Sequence, residues 1–306
     1  MSSRRHPTAP SRISFKSGHS GRSGRGGRGF LRGRSLAWIF GLCALSATGV
    51  FLVVSLVREV AREFPDVAIL RSQYPVVEYA GPKEPFSIKL QKAKPAHWTA
   101  LGAISKSAVG AIIVSEDWAF YQHPGFDANQ IKEALKRDIE SARFARGAST
   151  ITQQVVKNVF LDRDKSLWRK VRELLLAVRL EKSVTKRRIL EVYLNIIECG
   201  EGVFGVGSAS RHYFKKPAAE LTAKEGAFIA MLLPSPKRYS ISFRKKALTP
   251  YARKTIESIL FKMNQAGYLT DEELEAELER PMPFEAESET QNITIDESNE
   301  SADESH

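Results

Sequence analysis

The sequence predicts a mainly α-helical protein preceded by one transmembrane helix. Three observations lead to this fold class. An uncharged apolar stretch of 22 residues begins at Leu36, apolar side chains recur at helical spacing after residue 98, and strand-like alternation is scarce. Hydrophobic residues make up 42% of the 306 and only two are cysteines, so a packed core is expected and a disulfide scaffold is excluded.

The two ends of the chain carry opposite charge. Residues 1–34 form a basic tail with nine Lys and Arg and no acidic residue. Its Gly- and Arg-rich part is similar in composition to nucleic-acid-binding segments, but a flexible tail that contacts anionic lipid explains it more simply, so no nucleic-acid partner is expected. Residues 285–306 carry eight acidic residues and no Lys or Arg, and they are predicted to be disordered.

Residues 36–57 are predicted to cross a membrane. A helix of this length reaches about 33 Å, enough for the ~30 Å hydrocarbon core. The alternatives are a cleaved signal peptide and a buried core helix. The apolar region of a signal peptide is usually about 7–15 residues long and ends at a small-residue cleavage site, which is not evident here. The excess of Lys and Arg before the stretch predicts a cytoplasmic N-terminus, with residues 58–306 on the other side.

The rest of the chain is predicted to contain one helical domain. Residues 58–97 hold five prolines and are expected to form a stalk or irregular lead-in. Residues 98–284 are the expected domain, with a first helix from Trp98 to Tyr121. A capping box at Asp127 predicts a second helix, whose apolar and cationic residues suit either a membrane surface or ordinary core packing. A Thr followed three residues later by Gln or Glu predicts further helix starts at Thr150, Thr222 and Thr270.

Glu116 is the first candidate for chemistry. It lies at the edge of the apolar side of the first predicted helix, and Asp117 follows it directly. Partial burial and a neighbouring like charge both raise a carboxyl pKa toward the range of a general base. The alternative interpretation is a solvent-exposed acid at a helix end.

The second candidate is the polar segment from Arg146 to Asn158. A turn of small residues leads into a helix whose first backbone N–H groups are free, with the hydroxyls of Ser149 and Thr150 nearby and Lys157 two turns along. Such an arrangement can hold a phosphate group. An ordinary capped helix is the alternative.

The third candidate is the helix predicted over residues 167–180. Apolar residues lie on two of its sides, which predicts burial and would place Arg169 and Glu173 in an interior cleft. The alternative is a surface ion pair of two residues four apart, worth a few tenths of a kcal/mol. In the apolar stretch after it, Glu191 and Asn195 are predicted to be structural hydrogen-bonding residues.

The order of these motifs resembles that of the peptidoglycan glycosyltransferases, glycosyltransferase family fifty-one. The resemblance extends over roughly residues 100–245. The matching segments are Glu116-Asp117-x-x-Phe120-x-x-His123-x-Gly125, Gly147-x-Ser149-Thr150-x-Thr152-Gln153-Gln154-x-x-Lys157-Asn158, Arg169-Lys170-x-x-Glu173, and Ile189-Leu190-Glu191-x-Tyr193-Leu194-Asn195.

The resemblance implies a fold and a reaction. The fold is a lysozyme-like α-helical head with a small membrane-apposed jaw. The reaction is polymerisation of lipid II into glycan strands, with inversion at the donor anomeric carbon and release of undecaprenyl pyrophosphate. Because no penicillin-binding domain follows, the chain looks like the monofunctional transglycosylase branch, and no transpeptidase activity is expected.

The resemblance also implies residue roles. Glu116 resembles the general base that deprotonates the acceptor 4-hydroxyl. Glu173 resembles a second carboxylate that either positions cations or assists at the leaving group. The residues similar to those that hold and neutralise the donor pyrophosphate are Ser149, Thr150, Gln154, Lys157, Asn158, Arg169 and Lys170. Positive charge already in place would stabilise the charge that develops on the leaving pyrophosphate.

The implied location is the bacterial inner membrane, crossed once, with the domain in the periplasm. The expected partners are lipid II, the growing glycan chain, the bilayer and other cell-wall synthesis proteins. No cofactor is required, and participation of Mg²⁺ stays open without assigned metal ligands. Two other functions are compatible with the residues, namely a lysozyme-like enzyme that cuts glycan and a non-catalytic anchored scaffold. Of the three, only polymerisation needs a pyrophosphate cradle.

Overall fold

The computed structural model describes residues 30–62, 64–128, 132, 149–162 and 166–285, and for residues 30–40, 56 and 59–62 it describes the backbone alone. Four features predicted above therefore lie wholly or largely outside the described residues: the basic tail, the helix expected from Asp127, the turn at 146–148 and the acidic tail. The chain divides into two compact units, residues 1–63 and 64–306.

The described part of the first unit is a single long helix. Helix α1 (Phe30–Arg62) has 33 residues and contains the uncharged stretch 36–57. Its described apolar side chains, from Leu42 to Val57, are exposed. Across the part of the chain that the structure describes, no helix is long and apolar enough to cross a membrane.

The second unit is mainly helical, in agreement with the predicted fold class. Three short 3₁₀ turns (67–71, 101–103 and 218–220) connect its elements. Its α-helices are α2 (Lys106–Glu116), α3 (Ile151–Phe160), α4 (Leu167–Ser183), α5 (Lys186–Ile196), α6 (Val206–Phe214), α7 (Ala223–Leu232), α8 (Pro236–Tyr239), α9 (Ile241–Arg244), α10 (Pro250–Gln265) and α11 (Asp271–Glu279).

Residues 74–91 form a β-hairpin where the sequence predicts an irregular lead-in. Strand β1 (Tyr74–Glu78) pairs antiparallel with β2 (Ser87–Gln91), with Val76 opposite Lys89. Pro75 is tolerated in β1 because both strands of a two-stranded sheet are edges. The hairpin packs through β1 on α5 and through β2 on α3, so it belongs to the helical unit.

A second, smaller hairpin follows α5. Strand β3 (Glu198–Gly200) pairs with β4 (Val203–Phe204). Gly202 in its turn and Gly205 after it have φ values of 73° and 80°, in the left-handed region that favours glycine. The glycines of this segment therefore form a tight turn, as predicted.

Helices α2 and α7 lie against each other in the core. Every residue of α7 is buried. A Cβ added to Gly226 of α7 would come within 2.5 Å of the Cα of Ala108 on α2, so the two helices approach closely only because both positions are small. Helix α2 carries Glu116 at its end, and this contact fixes the helix in the core.

Helix α2 is shorter than the helix predicted from Trp98 to Tyr121. It begins at Lys106 because the Ser105 hydroxyl accepts a hydrogen bond from the Ala108 N–H at 3.0 Å. It ends at Glu116 because Asp117 leaves the helical conformation, with φ −161° and ψ 73°. Glu116 is thereby the last residue of the helix.

All three Thr-led capping boxes are confirmed. In each, the Thr hydroxyl accepts from the backbone N–H three residues later, and that residue's side chain accepts from the Thr N–H. They open α3 at Thr150, α7 at Thr222 and α11 at Thr270. The helix that carries most of the predicted cradle is thus positioned by a local sequence signal.

Glu191 and Asn195 are structural, as predicted. The Glu191 carboxylate accepts hydrogen bonds from the Trp98 indole and the Leu101 N–H, both at 3.1 Å. Asn195 accepts from the Thr99 N–H and donates to the Thr99 carbonyl, both at 2.8 Å. These bonds attach residues 98–101 to α5.

The prediction that α4 is buried on two sides is wrong. One side, with Glu173, Leu176, Ala177 and Leu180, is buried. The opposite side forms an exposed apolar stripe, here defined as Leu167, Trp168, Val171 and Leu175, of which 88%, 48%, 45% and 48% is exposed. Periodicity locates apolar sides but does not say what covers them, and the core packs against only one of the two.

Candidate active site

Glu116 lies between α3 and α5 and is held by both. The Gln154 side-chain amide on α3 donates a hydrogen bond to Glu116 Oε2 at 2.8 Å. The Tyr193 hydroxyl on α5 lies 3.5 Å from the same oxygen and 3.3 Å from Gln154 Oε1. Three helices thus converge on one carboxylate oxygen.

Burial raises the pKa of Glu116 above its ordinary value, because the charged form loses water. The hydrogen bonds from Gln154 and Tyr193 and the charge of Lys157 act in the opposite direction, and Asp117 adds a smaller upward effect. The direction matches the sequence expectation, although burial rather than the neighbouring Asp117 is the main cause. A carboxylate with a raised pKa is suited to accept a proton.

Asp117 has a different task from Glu116. Its buried carboxylate accepts a hydrogen bond from the N–H of Ile151, the first residue of α3, at 2.9 Å. Its other oxygen lies 2.8 Å from His123 Nε2. His123 Nδ1 accepts from the Gly125 N–H at 3.2 Å, so the ring proton is on Nε2 and is donated to Asp117. Asp117 therefore ties the start of α3 to the loop after α2.

Three cations gather near the buried carboxylate of Glu173, and they are called here the cationic cluster: Lys157, Arg169 and Lys170. Arg169 Nη1 lies 3.2 Å from Glu173 Oε2, and the Lys170 ammonium contacts Glu173 Oε1. Lys170 also donates to the Ser149 hydroxyl at 3.0 Å. Glu173 is 2% exposed, and its single carboxylate is shared by two of the three cations, Arg169 and Lys170.

The pKa of Lys157 is affected by the carboxylates of both Glu116 and Glu173. Burial lowers its pKa, Glu173 raises it, Lys170 and Arg169 lower it, and Glu116 raises it. An anion bound between Lys157 and Arg169 would stabilise the charged ammonium. The cluster is thus electrostatically prepared for a polyanionic group.

Two clefts meet at the cationic cluster. The larger cleft, about 580 Å³, is lined by β2, the end of α3 and Arg169. The smaller cleft, about 220 Å³, is lined by Gln154, Tyr193, Glu198 and Leu233 among others. Phe86, Lys157 and Asn158 line both clefts. Cations therefore border the larger cleft, and the side chains that contact Glu116 border the smaller one.

Most of the predicted site residues come together, and Thr150 does not. Its side chain is 1% exposed, and its hydroxyl donates to the Gly125 carbonyl at 2.8 Å and accepts the capping bond of α3. The Thr150 hydroxyl is thus used by the backbone, and its contact with the substrate stays a prediction. Gln154 also differs from the expectation, since its amide is bonded to Glu116 rather than directed to the cationic cluster.

Tyr193 and Phe86 were not among the predicted site residues. Tyr193 belongs to an apolar helical pattern that indicates core, and its hydroxyl is what makes it part of the site. Phe86 follows two prolines in an otherwise polar turn, without any periodic signal. Both reach the site through long-range packing, so the local pattern could not identify them.

Among the described residues, no group of three or more His, Cys, Asp and Glu side chains is arranged to hold a metal ion. Both oxygens of Glu173 are engaged by Arg169 and Lys170.

Comparison with known proteins places these features in a family. A family model described as transglycosylase matches residues 84–264. This range includes strand β2 and the whole site. A biosynthetic peptidoglycan transglycosylase of Nitrosomonas eutropha is 43% identical over 156 residues, 51% of this chain and 64% of that protein. One of Laribacter hongkongensis is 46% identical over 142 residues, 46% of this chain and 62% of that protein.

A third relative, named biosynthetic peptidoglycan transglycosylase of Mannheimia succiniciproducens, is 43% identical over 196 residues, 60% of this chain and 78% of that protein. For the first two relatives, the matched region spans less than two thirds of their length. The family match covers more than half of this chain and the residues that form the clefts. The chain belongs to the transglycosylase family.

Proposed function

We propose that this chain is a membrane-anchored peptidoglycan glycosyltransferase that polymerises lipid II with inversion at the donor anomeric carbon and release of undecaprenyl pyrophosphate. The names of its relatives support the reaction class. The observation that carries the proposal is the pair of clefts that meet at Lys157 and Asn158, one bordered by cations and the other by the residues that hold Glu116.

The clefts suggest where each substrate binds. The donor lies in the larger cleft, because its pyrophosphate needs the positive charge of Lys157 and Arg169. The acceptor lies in the smaller cleft, because Gln154 and Tyr193 bring Glu116 to that side. Asn158, which lines both, is in a position to contact either substrate.

The reaction then proceeds in one displacement. Glu116 accepts the proton of the acceptor 4-hydroxyl while the hydroxyl oxygen forms a bond to the donor C1. The bond from C1 to the pyrophosphate oxygen breaks, and its electron pair leaves with the pyrophosphate, so the configuration at C1 is inverted. The cationic cluster stabilises the negative charge that develops.

Glu173 acts by positioning cations. Its carboxylate is buried and bound to both Arg169 and Lys170, which leaves it no role as an acid at the leaving group. Of the two roles that the resemblance left open, the contacts support this one. Ser149 contributes by accepting a hydrogen bond from Lys170.

Membrane attachment is part of the proposal. Residues 36–57 carry no charge and lie within the 33-residue helix α1, and their described side chains begin only at Leu42. The exposed apolar stripe of α4 would contact the bilayer, where a long-chain lipid substrate is available. The inner membrane with a periplasmic domain is the location that fits a substrate carried on such a lipid.

The test is incubation of the detergent-solubilised full chain with labelled lipid II. Wild type is expected to produce a polymer that lysozyme digests, and Glu116→Gln is expected to lose at least ~100-fold of the rate, because the base is missing. Glu279→Gln, an exposed carboxylate on α11, is the matched control and should retain full activity. No polymer from wild type in several detergents, with and without Mg²⁺, would contradict the proposal.

A glycan-cleaving enzyme is the second candidate, since one carboxylic acid in a helical domain also suits hydrolysis. Hydrolysis of glycan does not need the cationic cluster. If Lys157→Ala retained full activity on cell-wall glycan while wild type made no polymer, hydrolysis would be the better assignment.

A further inference from the structure

We propose that Tyr193 is a positioning residue which, with Gln154, holds Glu116 by its Oε2 oxygen and leaves Oε1 to take the proton of the acceptor. The inference rests on the proposed function for the identity of the acceptor. The arrangement of Tyr193, Gln154 and Glu116 does not depend on that function. In this role, Tyr193 and Gln154 act on the reaction through Glu116 and not by their own contact with the reacting atoms.

The hydrogen bonds define a directed chain. A tyrosine hydroxyl carries one hydrogen, and a glutamine amide donates through Nε2 and accepts through Oε1. Since Gln154 Nε2 donates to Glu116 Oε2 at 2.8 Å, its Oε1 is turned toward Tyr193, whose hydroxyl lies 3.3 Å away. Tyr193 thereby fixes the orientation of the amide that binds the carboxylate, and its own distance to Oε2 is 3.5 Å.

The residue that anchors these hydrogen bonds, Tyr193, is rigidly held. Tyr193 is 0% exposed and is among the largest fully buried side chains of the described residues, so its ring cannot change position without disturbing the core. Gln154 lies at the surface of the smaller cleft and has no comparable constraint of its own. A buried aromatic ring on α5 therefore determines the geometry of a carboxylate on α2.

The electrostatics agree with this role. The groups that act on Glu116 are Gln154 and Lys157 from α3, Tyr193 from α5 and the adjacent Asp117. Hydrogen bonds from Gln154 and Tyr193 partly offset the rise of the Glu116 pKa that burial causes. Burial and the Glu116 charge in turn hold the pKa of Tyr193 well above its ordinary value of 10.0, so the phenol stays a donor throughout the physiological range.

A core residue without this role would behave differently, and the chain offers such a residue. Tyr213 on α6 is also buried, at 3% exposed, and its hydroxyl donates to the Cys199 carbonyl at 2.8 Å. Its removal costs one buried hydrogen bond without changing Glu116. Tyr213→Phe is therefore the matched control for Tyr193→Phe.

The first experiment measures kcat/KM for lipid II polymerisation against pH. Tyr193→Phe should move the acidic limb upward by roughly 0.5–1 pH unit, because the Gln154 amide that donates to the carboxylate is no longer held by the phenol, and the loss relative to wild type should shrink as pH rises. Tyr213→Phe should leave the shape of the profile unchanged. A Tyr193→Phe profile that is scaled by the same factor at every pH would overturn the proposal.

The second experiment does not depend on activity. In protein labelled with ¹³C at the glutamate carboxyl groups, the Glu116 signal is identified by its absence in Glu116→Gln. Its titration midpoint should rise in Tyr193→Phe and stay constant in Tyr213→Phe. Should Tyr193→Phe fail to fold, Gln154→Leu removes the hydrogen bond to Glu116 at the cleft surface instead. It should likewise raise the titration midpoint of Glu116.

The two experiments separate the two proposals. A shifted midpoint without any polymer from wild type would support the positioning role and reject the polymerase. Polymer from wild type together with an unshifted midpoint would support the polymerase and reject the positioning role.

Discussion

At the scale of single residues, Glu116 combines a requirement of function with a cost in stability. Its carboxylate is partly buried, and burial raises its pKa. A charged group that is drawn out of water destabilises the folded state unless its partners compensate fully. Here Gln154, Tyr193 and Lys157 compensate only in part, because the net direction of the shift is still upward.

This imbalance predicts that Glu116→Gln stabilises the protein near neutral pH. A raised folded-state pKa means that the folded state binds the proton more tightly than the unfolded state, so stability falls as pH rises from the unfolded value near 4.5 through the folded value. Because the side chain in Glu116→Gln is uncharged at every pH, this loss of stability is absent in the variant. The free energy of unfolding at pH 7 should therefore be higher than in wild type.

The measurement is urea unfolding of both proteins at pH 4 and pH 7. The advantage of Glu116→Gln should be present at pH 7 and absent at pH 4, where the wild-type carboxyl is already protonated. Glu279→Gln, in an exposed position, should differ little from wild type at either pH. Equal stability of Glu116→Gln and wild type at pH 7 would mean that the partners compensate for burial completely.

At the scale of elements, the contact between α2 and α7 fixes the helix that carries the base. The predicted capping box at Thr222 starts α7 correctly. The close approach at Gly226 and Ala108 could not be predicted, because a glycine in a helical pattern does not say which partner helix lies against it.

Gly226→Ala is predicted to destabilise the protein by about 1–3 kcal/mol, although alanine is the better helix former. The added Cβ would lie 2.5 Å from the Cα of Ala108, so the helices must separate. Gly102→Ala is the control, because a Cβ there meets only Arg187 Nη2 at 3.8 Å. Urea unfolding should show the loss for Gly226→Ala and a near-neutral effect for Gly102→Ala; a neutral Gly226→Ala would contradict tight packing at this contact.

The elements also show which sequence signals were sufficient. Helix starts at Thr150, Thr222 and Thr270 were predicted correctly because a capping box is complete within four residues. The hairpin at 74–91 was not predicted because its strands are short, contain Pro75 and are stabilised by packing on α3 and α5. Local signals thus determine where helices begin, and distant contacts determine whether a proline-rich segment is ordered.

At the scale of the whole molecule, an exposed apolar stripe accompanies a positively charged cleft. Leu167 and Val171 of the stripe and Arg169 of the cationic cluster lie on the same helix, α4, on different sides. A lipid-linked pyrophosphate has both an apolar and an anionic part. The two sides of α4 match these two parts.

We therefore predict that the stripe contacts lipid in the reconstituted full chain. Trp168 is 48% exposed within the stripe, and Trp118 is 45% exposed at the end of α2, outside it. In vesicles that contain brominated lipid, tryptophan fluorescence should be quenched, and Trp168→Phe should remove part of the quenching. Trp118→Phe should leave the quenching unchanged. Equal quenching in wild type and Trp168→Phe would exclude contact between the stripe and the bilayer.

The sequence alone determined the helical class, the starts of the capped helices, the structural roles of Glu191 and Asn195, and the resemblance to the peptidoglycan glycosyltransferases, because each is encoded in short segments. The tertiary structure decided that Thr150 is buried, that α4 is exposed on one side, and that Tyr193 and Phe86 belong to the site. Spacing along a helix determines which residues share a side, but only packing in three dimensions determines what that side contacts.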